Sequence, residues 1–68
     1  MDSNRYAHVI RERRRELGLR QYELADFAGV SERLVRDLEH GKPGARLDKV
    51  EQVLEALGLE LTVTLRRR

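Results

Sequence analysis

The chain contains no cysteine, only two histidines, and no apolar run near the roughly 20 residues needed to span a bilayer. Each absence closes a class of explanation. Without cysteine, neither a disulfide framework nor a thiolate metal site can support a small fold. Without a long apolar run, no segment is expected to cross a membrane, and no basic-then-apolar leader opens the chain. The expected compartment is therefore a reducing cytoplasm. His8 and His40 stand in different segments. Neither a catalytic triad nor three or four converging metal ligands can be assembled around them, so no enzyme, cofactor or metal site is expected. A strong excess of one charge is also missing: 14 Lys and Arg face 12 Asp and Glu, a net charge of +2. That balance says little about partners unless the cations gather on one face.

Sixty-eight residues form one small domain, 1–68, with a thin core. Such a chain needs close helix packing or a partner subunit, so oligomerisation is a physical expectation from length alone.

What the chain does have is most concentrated in residues 21–40, QYELADFAGVSERLVRDLEH. Leu24, Ala25 and Ala28 recur at helical spacing. Gly29 supplies a backbone suited to positive φ, as a sharp turn between helices requires. Ser31 is placed to cap a second helix with its hydroxyl. Leu34, Val35 and Leu38 form the inner face of that helix, leaving Glu32, Arg33, Arg36 and Asp37 outside. Two short helices joined by a tight turn, the second with a polar outward face, have the shape a DNA major groove admits. Arg20, Arg33, Arg36, Lys42 and Arg46 all lie on or beside these helices, which favours a nucleic-acid surface over an ordinary solvated one.

Around this motif the spacing predicts a first helix over about residues 6–17, capped by Ser3 or Asn4. Tyr6, Val9, Ile10 and Leu17 share one side of it, and Gly18 ends it. The run Arg11, Arg13, Arg14, Arg15 reads as a solvated face favoured by the helix dipole. A Gly-Lys-Pro-Gly loop at residues 41–44 precedes another helix over about residues 47–57, with an apolar stripe of Leu47, Val50, Val53, Leu54 and Leu57. Gly58 closes it. From there Leu59, Leu61, Val63 and Leu65 alternate with polar residues, the period-two pattern of a β-strand over about 59–66. No second strand candidate exists to pair with it. The economical partner is the same strand of a second copy, giving an antiparallel pair across a two-fold axis; the alternative is a frayed tail. Arg66, Arg67 and Arg68 are expected to be solvated or to touch phosphate or an acidic surface.

The residues LGLRQYELADFAGVSERLVRDLEHGK resemble the Cro/repressor (XRE) class of helix-turn-helix domains. With the following GARLDKVEQVLEALGLELTV, the chain looks like HipB-type antitoxins, regulators that partner HipA-like kinase toxins. Strand-tailed domains of this kind also occur as stand-alone regulators. The resemblance implies a mainly α fold of four to five helices, with the terminal strand pairing across a homodimer. It implies a repressor bound as a dimer to double-stranded operator DNA with an inverted repeat. It places Ser31, Glu32, Arg33 and Arg36 near base edges, and Gln21 and the loop from His40 to Lys42 near phosphates. Arg20 and Arg46 join the phosphate group as exposed cations beside the motif. It also implies a largely buried structural pair between Arg14 and Glu39. Two departures stand out. Arg20 occupies a position where relatives often carry a capping Ser or Thr, and Glu32 and Asp37 put negative charge on the outward face. A carboxylate there either repels phosphate or accepts from cytosine N4.

Overall fold

The computed structural model describes residues 4–65. Its elements follow in the order α1 (Asn4–Glu16), α2 (Gln21–Ala28), α3 (Glu32–Glu39) and α4 (Leu47–Ala56). α3 packs against both α1 and α2, and α2 packs against α4. The core between them is made of Ile10, Leu24, Ala25, Ala28, Val35, Leu38, Val50, Val53, Leu54 and Leu57. None of the described helices is long and apolar enough to cross a membrane.

The helices stop where they do for one recurrent reason. After each of them a glycine with φ between 70° and 73° turns the chain, at Gly18, Gly29, Gly41 and Gly58. The two amides that follow bond back to helix carbonyls. After α2, for example, Gly29 N–H donates to Asp26 O at 3.4 Å and Val30 N–H to Ala25 O at 3.0 Å. Gly29 matters most, because it sets the angle between α2 and α3, and a side chain there would strain the left-handed backbone.

Several expectations about facing need correction. Val9, Leu17 and Leu47 are largely exposed, not core. α1 has its main packing partner in α3, so it buries a narrow stripe of Ala7, Ile10 and Arg14. Val9 lies off that stripe, and Leu17 follows the last helical turn. An arginine thus fills a position where an apolar residue would be anticipated. The solvated arginine face of α1 is also corrected, because Arg11, Arg13 and Arg14 each reach another element. Ser3, one of the two suggested caps of α1, lies outside the described residues.

Residues 59–65 carry neither helix nor strand. A strand exists only through a hydrogen-bonded neighbour, and among the described residues there is no second segment to provide one. Leu59 and Leu61 nevertheless pack partly against the core, whereas Val63 and Leu65 are each 98% exposed. Residues 66–68 fall outside the described part of the chain.

Candidate nucleic-acid interface

Construction begins at the entry to α3. Ser31 takes an extended backbone (φ −78°, ψ 153°), and its hydroxyl oxygen accepts from Leu34 N–H at 3.1 Å. The cap satisfies one of the four orphan amides of the helix start, and the hydroxyl proton stays available to donate outward. Val35 and Leu38 then anchor the inner face at 0% exposure. With that face fixed, the helical period turns Glu32, Arg33 and Arg36 to solvent.

The start of α2 is built differently. Arg20 is its N-cap residue, but a guanidinium carries only donors and cannot accept from the helix amides. Glu23 compensates in part, its carboxylate accepting from Arg20 N–H at 2.8 Å. The Arg20 side chain is thereby left exposed, with no ion-pair partner among the described residues.

Behind α3 lies a polar cluster centred on Glu39, whose side chain is 2% exposed. Arg14 holds it with a two-pronged fork, Nε to Oε2 at 2.6 Å and Nη2 to Oε1 at 2.9 Å. The remaining Arg14 prong donates to Leu19 O at 2.9 Å. Gln21 Nε2 donates to Glu39 Oε1 at 3.2 Å, and Arg11 Nη2 donates to the Glu39 carbonyl at 2.6 Å. Burial by itself would push the Glu39 carboxyl up. The hydrogen bonds from Arg14 and Gln21, with the charges of Arg14 and Arg11, outweigh it and hold the group below the ordinary carboxylate value. Arg14 is raised in turn by its hydrogen bond to Glu39, against burial. No buried side-chain nitrogen or oxygen among the described residues lacks a partner.

The cations on the outer side are arranged unequally. Arg36 pairs with Glu32 one turn earlier at 3.3 Å, and both are about half exposed. Lys42 lies 3.9 Å from Asp37, and Arg46 lies 2.9 Å from Asp48. Lys42, Arg46 and Lys49 border a shallow depression of about 340 Å³ together with Leu34 and Asp37. Arg33 is exposed and has no ion-pair partner among the described residues. His40 closes α3, exposed, with its amide donating to Arg36 O at 3.1 Å. Among the described residues no three of His, Cys, Asp or Glu are gathered so as to hold a metal ion.

Four connections escaped the sequence reading, one of them the bond from Arg11 to the Glu39 carbonyl given above. Arg13 Nε donates to Leu57 O at 2.9 Å, which fastens α1 to the end of α4. Gln52 Nε2 donates to Ala28 O at 3.2 Å, where α2 ends. Gln21, expected only to face phosphate, also leans back on Glu39. The one available signal was the spacing of Arg11 and Arg14, three residues apart and so on one helix face.

The match to known proteins agrees with this construction. Residues 10–63 match the helix-turn-helix family model. The chain is 49% identical over 55 residues to y4mF of Sinorhizobium fredii, named an uncharacterised HTH-type transcriptional regulator, covering 81% of this chain and 72% of the relative. It is 42% identical over 52 residues to a protein of Methanothermobacter thermautotrophicus with the same description, covering 76% and 75%. With α2 and α3 joined at Gly29 and a family match across most of its length, the chain belongs to the helix-turn-helix family.

Proposed function

We propose that the protein is a transcriptional regulator that places α3 in the major groove of double-stranded operator DNA. The observation that carries this reading is the outer face of α3, where Arg33 stands exposed, with no ion-pair partner among the described residues, beside the capping Ser31, while Val35 and Leu38 on the inner face are fully buried. A guanidinium presented this way can bond both O6 and N7 of guanine, contributing about 1–3 kcal/mol of discrimination. Ser31, Glu32 and Arg36 share the base-edge side; Arg20, Gln21, His40, Lys42 and Arg46 take phosphates, which position the protein without reading sequence. Replacing Arg33 by Ala is expected to abolish preference at one base pair and leave weak nonspecific binding, checked by competition between operator variants. An unchanged preference would remove Arg33 from the reading set.

The regulator acts as a homodimer through its tail. Leu59 and Leu61 pack partly against their own core, while Val63 and Leu65, next in the same alternation, are each 98% exposed. A second copy supplies what is missing. An antiparallel pairing centred on Thr62 sets Leu59 against Leu65 and Leu61 against Val63, completing both strands. Beside the tail, a groove of about 500 Å³ offers the pair Leu47, Leu54, Leu59, Leu61 and Val63 as apolar contacts, with Glu51, Glu55 and Glu60 also along it. Two recognition helices on one DNA face, about 34 Å apart, then require an inverted repeat.

Within the family, the tail and the α4 sequence favour a HipB-like antitoxin that also holds a HipA-like kinase toxin inactive, in the cytoplasm. A stand-alone regulator, or a protein-interaction module with weak DNA binding, is the competing reading. Binding to the DNA upstream of the protein's own gene, against competitor DNA at two salt concentrations, tests the core of the proposal. Tight, salt-weakened binding at two copies per site supports it, and no preference for that DNA at either salt overturns it. Co-purification with a kinase encoded by the neighbouring gene separates antitoxin from stand-alone regulator.

A further inference from the structure

Of the candidate groove cations, three are already neutralised within the chain. Arg36 is held by Glu32 at 3.3 Å, Lys42 approaches Asp37 to 3.9 Å, and Arg46 binds Asp48 at 2.9 Å. The three pairs are exposed enough to open: every member but Asp37 has about half or more of its side chain accessible, and Asp37 a third. Glu32, Arg36 and Asp37 belong to α3, Lys42 and Arg46 to the segment after it and Asp48 to the first turn of α4, and Asp37, Lys42 and Arg46 border the same depression. The net charge of +2 shows the same economy for the whole molecule.

We infer that Glu32, Asp37 and Asp48 are built-in counter-ions of the DNA face, which keep binding to unrelated DNA weak and so sharpen specificity. The inference rests on the DNA-binding reading above. Attraction to DNA of any sequence comes from cations that neutralise phosphates and release the ions condensed on them. A cation that enters with its own carboxylate neutralises no phosphate. A cation that leaves its carboxylate exposes a negative charge, which gathers a solution cation or faces the DNA unscreened, and the gain from ion release is cancelled. Only a site that offers base contacts in addition compensates for opening the pairs. Glu32, Asp37 and Asp48 are therefore specificity determinants that work by penalising the wrong DNA.

The test compares the intact chain with two triple variants of equal charge. In the first, Glu32→Gln, Asp37→Asn and Asp48→Asn remove the three counter-ions. In the second, Glu12→Gln, Glu16→Gln and Asp26→Asn remove three carboxylates away from the α3 face. Binding of each to a random-sequence duplex and to the DNA upstream of the gene is measured across a salt series, with thermal melting to establish that each is folded. The single variant Glu32→Gln, at an exposed position, covers the case in which the first triple does not fold. The expected result is a rise of about tenfold or more in random-duplex affinity for the first triple, and a salt dependence steeper by about two to three in log–log slope. Its preference for the upstream DNA falls correspondingly, and the second triple changes far less. Equal behaviour of the two triples would overturn the inference while leaving the DNA-binding reading intact. Failure of the intact chain and the first triple to bind any duplex at low salt would overturn both.

Discussion

Arginine–carboxylate pairs occur in two regions of α3, and their settings differ more than their chemistry. At the helix end, Glu39 is sealed from solvent at 2% exposure and is gripped by a two-pronged Arg14. On the outer face, Glu32 and Arg36 meet at 3.3 Å with about half of each side chain in water. The buried pair has no solvent alternative: remove one partner and a desolvated charge is left behind. The exposed pair can exchange its partner for water at little cost. One arrangement fixes where α3 sits, and the other stays negotiable, as a surface intended to meet something else has to be.

Substitutions can break or sharpen this contrast. The largest effect is expected for Glu39→Gln, which strands Arg14 in the interior and should lower stability by about 3 kcal/mol or more in urea unfolding. For a domain of this size that is a substantial part of the total. A loss below about 1 kcal/mol would show that the two regions are not different in kind. The same pair should govern acid sensitivity. Because the folded state holds the Glu39 carboxyl below its ordinary value near 4.5, its contribution is complete above that value and disappears as pH falls through the lower folded one. Stability followed by thermal melting from pH 6 to pH 3 should therefore fall more steeply in the intact chain than in Glu39→Gln, so far as the variant folds. Intermediate in size is Ser31→Ala. Losing the cap on Leu34 N–H should cost about 1 kcal/mol, or roughly 4–8 °C in Tm. Smallest is the outer pair itself, where Glu32→Ala should change stability by no more than about 0.5 kcal/mol in the same melts, although it lies on the same helix as Glu39.

Much of this architecture could be read before any coordinates. The apolar spacing of Leu24, Ala25, Ala28, Val35 and Leu38, punctuated by Gly29 and Ser31, located α2, the turn and α3 because each signal is local. The exposure of Glu32, Arg33 and Arg36 followed from the same period, whereas Asp37, expected outside with them, has only a third of its side chain accessible. What could not be read depended on contacts distant in sequence. Arg13 reaches Leu57 across 44 positions, and Arg11 reaches Glu39 across 28. An arginine run on a helix looks identical whether its ends meet water or another helix. Val9, Leu17 and Leu47 were misjudged for a related reason: apolarity suggests burial, but only the packing of neighbouring elements decides which apolar residues are covered. The tail is the opposite case. Its alternation is plain in the sequence, while the described residues provide nothing for it to pair with.

α1 packs against α3, and its arginines end on two places that matter. Arg11 grips the last carbonyl of α3, and Arg13 grips the carbonyl of Leu57, two residues before the tail begins. Between them these side chains make α1 a common anchor, moored at one point to α3 and at another to the segment through which two copies are proposed to pair. The two places are remote in sequence, but they share one foundation. Any event that pries α1 loose, whether a substitution, a cut in the backbone or a molecule bound along its open side, would slacken the proposed DNA contact and the proposed pairing together.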